Sequence, residues 1–225
     1  MLRALDASEA IDRTAARLAR GDEARLALVV SDTYQSQRYE ETLAALERRF
    51  PALELECQIA ENEDVIDLIQ QGRAQLGLMA AQPSYPAEIG AATLAEESEI
   101  ALFVGRAHPL AAHGDAEVPH AALRDAHELR LNTYVAPHGR GARRMPVAGT
   151  HRWSAPSYMM LLEMALLGFG WAELPRWMVD HFARDRLCEL RARGWPRRVP
   201  VDAVWSRSRP LGPAGAWLLD AMLAS

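Results

Sequence analysis

From Leu26 onward, apolar runs alternate with helical stripes. Leu26 to Val30 is apolar throughout, as a strand buried on both faces of a parallel sheet would be. Residues 36–49 place Tyr39, Leu43, Leu46 and Phe50 at helical spacing, and Pro51 ends that helix. "ALELECQI" alternates like a strand. Asn62 then stands as the cap of "EDVIDLIQQ", whose first turn carries Glu63 and Asp64 as the helix dipole prefers, and Gly72 stops that helix. "AQLGLMA" follows as a third strand. Strand, helix, strand, helix, strand predicts a parallel α/β sheet with right-handed crossovers.

The pattern restarts after "AEESEIALFVGRAHPL". A strand is expected at 99–104, a short helix near 120–127 and a strand near 129–134. A basic, glycine-containing loop is expected at 136–152 and a strongly apolar helix at 155–167. "GFGWAELP" reads as a tight turn and short strand, with Gly168 and Gly170 where positive φ or close backbone approach is required. A helix at 175–184, a strand in "VDAVWSRS" and a closing helix in "GPAGAWLLDAMLA" complete the chain. The expected class is α/β with two Rossmann-like lobes, the chain crossing near 97–100 and returning near 201–204. Residues 2–20 predict a helix with a narrow stripe of Leu2, Leu5, Ile11, Ala15 and Leu18, which calls for a partner helix.

Composition narrows the function classes. The 225 residues are 49% hydrophobic and carry a net charge of −5, which permits a real core and disfavours direct grip on nucleic acid. All 25 basic residues are arginine, so no lysine can form a Schiff base or serve a phosphate loop. Cys57 and Cys188 lack metal or redox spacing and read as reduced thiols. The N-terminal stretch has no apolar run suited to a leader or membrane span, so a cytoplasmic protein is expected. No nucleophile elbow, H-E-x-x-H pair, paired aspartate motif or phosphate loop is present, and neither an enzyme nor a cofactor or metal is expected.

Polar residues gather where strands end. Ser31, Asp32, Thr33 and Tyr34 follow the first strand, the position at which open parallel sheets take ligands. They are read either as a helix cap or as ligand contacts. Asn62 has the same two readings. "HGRGARRMPVAGTHRW" holds Arg140, Arg143 and Arg144, which are either a solvated face or an anion clamp. Thr133 and Tyr134 end a strand on the other side. Ser154 and Ser157 flank Pro156 before the apolar helix, one of them as its cap and Pro156 in its first turn. Trp171 either reaches a cleft or packs.

In their order, "ARLALVVSDTY", "RRFPALELE", "VIDLIQQGRAQLGLM", "RAHPLA" and "LLEMALLGFGWAELP" resemble the effector-binding region of LysR-type transcriptional regulators. Gln75 stands where the family has Asp, and Leu166 and Leu167 where it has smaller residues. The resemblance implies the periplasmic-binding-protein type 2 fold. Residues 1–22 would be the end of a linker helix, 23–98 with 203–225 one lobe, and 99–202 the other, joined by two hinge strands. It implies a small-molecule effector between the lobes, with an anion among the candidates. The effector contacts would come from Ser31, Asp32, Thr33, Asn62, Gln82, Thr133, Arg140, Arg143, Ser154 and Trp171. Asp32 is unusual in that set, because a carboxylate repels an anion unless an arginine pairs with it. The resemblance further implies a homodimer or homotetramer built on the helices at 36–49 and 155–167, and promoter DNA bound only through a winged helix-turn-helix missing from this chain. The competing class is a solute-binding protein of a transporter, which shares the fold; a leader peptide in the gene would mark it, a helix-turn-helix the regulator. A dehydratase-like enzyme on this fold lacks an acid–base constellation.

Overall fold

A computed structural model describes residues 23–132 and 151–224. Nine strands form one sheet: β1 (Arg25–Val30), β2 (Glu54–Ile59), β3 (Leu76–Ala80), β4 (Ile89–Gly105), β5 (His127–Leu131), β6 (His151–Ala155), β7 (Trp171–Pro175), β8 (Leu187–Leu190) and β9 (Arg197–Ser206). Their order is β2-β1-β3-β9-β4-β7-β5-β6, with β8 also paired to β4. Six α-helices cover it: α1 (Gln37–Arg49), α2 (Glu63–Gln70), α3 (His120–Asp125), α4 (Tyr158–Leu166), α5 (Arg176–Phe182) and α6 (Pro213–Leu223). The expected linker helix at 2–20 lies outside the described residues.

The two β-α-β crossovers put β2 and β3 parallel on either side of β1. The same arrangement recurs where β6 and β7 flank β5 in parallel. Between these parallel groups run two long antiparallel strands. β4 has 17 residues and β9 has 10, and they pair with each other on both sides of an irregularity between Thr93 and Glu97. Each half of the sheet keeps its own cores. Leu26, Leu28, Leu76 and Leu78 pack beneath α1 and α6, while Val29 and Met79 pack against Val65 and Ile69 of α2. In the other half, Ala101, Phe103 and Leu129 meet Leu161 and Met178, and Leu102, Val104 and Trp171 meet Leu110 and Leu123. A strand that feeds two separate cores through an irregular midpoint is a natural place to bend.

Several expectations need correction. The basic stretch expected as loop to 152 becomes strand at His151, and the apolar helix begins at Tyr158, not 155. Ser157 is its cap, accepting from Met160 N–H at 3.3 Å. Pro156 therefore precedes the cap instead of sitting in the first turn. The strand expected at 99–104 starts ten residues earlier, at Ile89. β8 was not anticipated. Asn62 does precede α2, but its side chain makes no capping bond and its φ is +48°, a backbone region unfavourable to a residue with a Cβ. The two glycines of the tight turn divide the expected roles. Gly168 has φ +78°. A Cβ on Gly170 would stand 2.2 Å from the His127 carbonyl oxygen, so this glycine permits the close approach of β5.

Candidate effector crevice

The sheet positions the polar residues that follow β1. Ser31 N–H donates to the Leu78 carbonyl at 2.8 Å, which fixes the end of β1 against β3. The chain then turns, and Ser36 caps α1 by accepting from Tyr39 N–H at 3.1 Å. The cap is thus Ser36, which leaves Ser31, Asp32 and Thr33 for another task.

That task centres on Glu61, at the end of β2. Its carboxyl accepts the Ser31 hydroxyl at 2.5 Å and the Asp32 N–H at 2.7 Å. Ser31 Oγ in turn lies 2.6 Å from Thr33 Oγ1 and accepts Thr33 N–H at 3.1 Å. Ser31, Thr33 and Glu61 are each no more than 3% exposed. Burial pushes the Glu61 carboxyl up to about 8, against the pull of its hydrogen bonds from Ser31 and Asp32, and the negative charges of Asp32 and Asp64 push the same way. Near neutral pH this is a largely uncharged acid. Sequence reasoning passed over Glu61. The available signal was a carboxylate at the mouth of β2, side by side with Asp32 at the mouth of β1.

The loop also meets the other half of the molecule. Trp177 of α5 donates its indole N–H to the Asp32 carbonyl at 2.9 Å. Tyr158, in the first turn of α4, lies near the Asp32 carboxyl. Within the loop's own half, Ser98 of β4 donates its hydroxyl to the Thr33 carbonyl. Burial raises the Asp32 carboxyl and the Tyr158 N–H lowers it, leaving a net upward shift. Tyr158 is buried beside this group, and its hydroxyl is raised first by burial and then by Glu61, Glu173 and Asp32.

The other expected contacts scatter. Gln82 gives its backbone N–H to the Tyr85 hydroxyl at 3.0 Å, and Tyr85 donates to Asp202, which also receives Thr93 at 2.7 Å. Gln82 is therefore tied to the middle of the two long strands. Ser154 is exposed on β6, the last strand of the sheet path. Trp171 is 1% exposed and packs among Leu102, Leu123 and Leu190, giving its indole N–H to the Leu123 carbonyl at 2.9 Å. It serves a core. Thr133, Tyr134, Arg140 and Arg143 lie outside the described residues, as does the rest of the basic loop up to 150. Among the described residues no group of three or more His, Cys, Asp or Glu could hold a metal. No helix among them is long and apolar enough to cross a membrane.

The chain that folds into these two parallel sheet groups joined by two long strands matches one known family along nearly its whole length. The LysR substrate binding domain model covers residues 19–225. The chain belongs to that family. A curated relative is the HTH-type transcriptional regulator AceR of Acinetobacter baumannii, 26% identical over 207 residues, spanning 90% of this chain and 67% of AceR. Among solved structures, the regulatory domain of Synechocystis CcmR in complex with 2-PG aligns with TM-score 0.69 at 20% identity, covering 88% of this chain and 95% of that one. The effector binding domain of QuiR in complex with shikimate gives TM-score 0.69 at 12% identity, covering 90% and 96%. Full-length OxyR of Pseudomonas aeruginosa, as a point variant, gives 0.65 at 19% identity, covering 98% and 76%. The family thus has the periplasmic-binding-protein type 2 fold: two lobes on a two-strand hinge.

Proposed function

We propose that this chain is the ligand-sensing and dimerisation domain of a LysR-type, DNA-binding transcriptional regulator. It binds a small-molecule effector between the lobes, it is not an enzyme, and it works in the cytoplasm. The observation that carries the reading is the Ser31–Tyr34 loop, which leaves the carboxyl end of β1 and meets α4 and α5 of the other lobe. On this reading the lobes are residues 23–98 with 203–225 and residues 99–202, and they rock about the irregularity between Thr93 and Glu97 on β4. An effector shifts their balance only by its difference in affinity for the two arrangements. Promoter DNA is contacted through a winged helix-turn-helix outside this chain, in keeping with the net charge of −5.

The dimer contact on this reading draws on apolar side chains left exposed, including Met160 of the expected helix at 155–167. The helix at 36–49 has no surplus apolar face. Its Tyr39, Leu43 and Leu46 pack inward with Phe50, while Glu40, Glu41, Glu47 and Arg48 face solvent. Exposed apolar side chains include residues at both ends of the sheet, besides Leu167 and Phe169 after α4 and Phe182 on α5. Leu55 and Ile59 are on β2, and Trp153 and Met160 are on β6 and α4. Such patches call for a partner, and an isologous pair places the two ends against each other.

A metabolite screen by thermal shift tests the sensor. A compound that binds the folded state raises the melting temperature by mass action. Ser31→Ala keeps the fold and weakens the binding of any compound so found by about tenfold, the equivalent of ~1.4 kcal/mol. Titration calorimetry reads the change. Equal affinity in the two proteins removes Ser31 and its neighbours from the site.

A further inference from the structure

Ser31 stands between two oxygens, and the protons along that row can be shared out in two ways. Glu61 Oε2 lies 2.5 Å from Ser31 Oγ. Thr33 Oγ1 lies 2.6 Å from it on the other side, where either hydroxyl can be the donor. Ser31 Oγ also accepts Thr33 N–H at 3.1 Å. The second carboxyl oxygen, Glu61 Oε1, accepts Asp32 N–H at 2.7 Å, so an acid proton on Glu61 belongs on Oε2, the side that faces Ser31. A hydroxyl has one proton to give and two lone pairs to fill. With Glu61 ionised, Ser31 gives its proton to Oε2 and fills its lone pairs from the Thr33 N–H and the Thr33 hydroxyl. With Glu61 protonated, Ser31 takes the acid proton and the Thr33 N–H, and gives its own proton to Thr33 Oγ1. Ser31 is fully paired in both arrangements. What changes is Thr33. In the first arrangement its proton is spent and it offers lone pairs; in the second its proton is left to donate. All three side chains are buried, so bulk water does not blur the choice.

We propose that Ser31, Thr33 and Glu61 form a two-way hydrogen-bond relay that makes the Thr33 hydroxyl a donor when Glu61 holds a proton and an acceptor when it does not, so that an effector meeting Thr33 with an acceptor oxygen, such as a carboxylate, binds together with a proton. The proton comes from solvent and rests on Glu61 Oε2, while Ser31 and Thr33 only rotate their hydroxyls. The titratable groups around Glu61 are Asp32 on the loop after β1, Asp64 in the first turn of α2, and Tyr158 of α4, which also feels Glu173 of β7. Burial, and after it Asp32 and Asp64, push Glu61 toward its protonated form. Near neutral pH the relay therefore ends in a donor. Effectors that bring an acceptor hold an advantage that fades as pH rises through about 8. The consequence for effectors rests on the sensor reading above, but the relay itself is measurable with no effector present.

The test is the titration midpoint of Glu61 in the 225-residue chain. Carbon NMR follows its side-chain carboxyl carbon as pH is varied, with the resonance assigned by its loss in Glu61→Gln. Thr33→Val removes the far end of the relay. The Ser31 proton is then left without an acceptor only when Glu61 is protonated, so the midpoint falls. The fall is about one pH unit, the scale of one buried hydrogen bond. A methyl group set beside a buried acid does the opposite, because desolvation raises the midpoint. So does the loss of a Thr33 that only ever donates to Ser31. A midpoint that stays or rises in Thr33→Val therefore overturns the relay. Thr33→Ala gives the same fall and stands in if Thr33→Val does not fold, while Thr33→Ser keeps the hydroxyl and the parent midpoint. Sodium acetate is the probe for the effector half. It brings an acceptor oxygen, favours the protonated relay and raises the Glu61 midpoint of the parent. Sodium chloride at equal ionic strength does not, and Thr33→Val abolishes the acetate effect. A parent midpoint that acetate leaves in place overturns the coupling to effectors, and Thr33→Val still decides the relay. A metabolite that binds the parent supports the sensor whatever the midpoint does, and an empty screen leaves both midpoint results standing.

Discussion

Trp171→Ala lowers the stability of this domain by ~3–5 kcal/mol, the range for removing a large buried aromatic from a packed core. Trp171 is 1% exposed and fills the core between β4, β8 and the segment around Leu110 to Leu123. Its truncation leaves a cavity and also strips the Leu123 carbonyl of its indole donor. A buried acceptor left without a partner is costly in its own right. Trp171→Phe separates the two effects: it keeps most of the volume, loses the hydrogen bond, and destabilises by about 1–2 kcal/mol. Urea unfolding checks both, with the midpoint falling and the slope unchanged. The folded Phe variant binds any effector as the parent does, because Trp171 faces a core on the sheet and not the crevice. An affinity loss in Trp171→Phe at unchanged stability contradicts that placement.

The tryptophan shows where sequence reading stops. A residue after a double-glycine turn can face either way, and only the pairing of β7 with β4 and β5 decides it. Elements with a strong apolar period were legible: β1, β3, α1, α2 and α6 stand within a residue or two of where their patterns put them. β6 was not, because an edge strand with four exposed residues out of five carries no apolar period, and "HRWSA" reads as loop. β8 was missed because four residues directly after a helix give no turn signal. The early start of β4 was hidden by "AEESE", polar residues in the middle stretch that links the two halves. In the crevice, the hydroxyl cluster after β1 was visible, but what it binds was not. Periodicity has no means of bringing Glu61 to Ser31, thirty residues away, because that meeting depends on the parallel register of β1 and β2. Asp32 was recognised as out of place for an anion site. What surrounds it, Glu61 on its N–H and Trp177 on its carbonyl, is a tertiary fact.

Glu61 also gives the domain a pH dependence opposite in sign to that of salt-bridged carboxylates. Its carboxyl is pushed up to about 8 in the folded state by burial, while in the unfolded chain it titrates at the ordinary value of 4.5. The folded protein therefore binds more protons than the unfolded one between those values, and stability falls as pH rises through that window. The contribution is fully present below the unfolded value and lost above the folded one. At ~1.4 kcal/mol per unit, the full span is on the order of 5 kcal/mol. The neighbours act in the same direction: Asp32 and Asp64 repel the charged form, and the Ser31 hydroxyl and Asp32 N–H only partly offset them. Glu61→Gln keeps a neutral acceptor for both donors and removes the titration. It raises stability at pH 8.5 by about 2–4 kcal/mol, leaves it little changed at pH 5, and flattens the profile between. Glu173, which burial pushes up to about 7, adds a residual slope of the same sign, as does the raised Asp32 at lower pH. Urea midpoints at the two pH values provide the check, and equal slopes in parent and variant contradict it. The same charge bears on function. Ionising Glu61 puts a second negative group beside Asp32, on the loop whose carbonyl Trp177 of α5 holds.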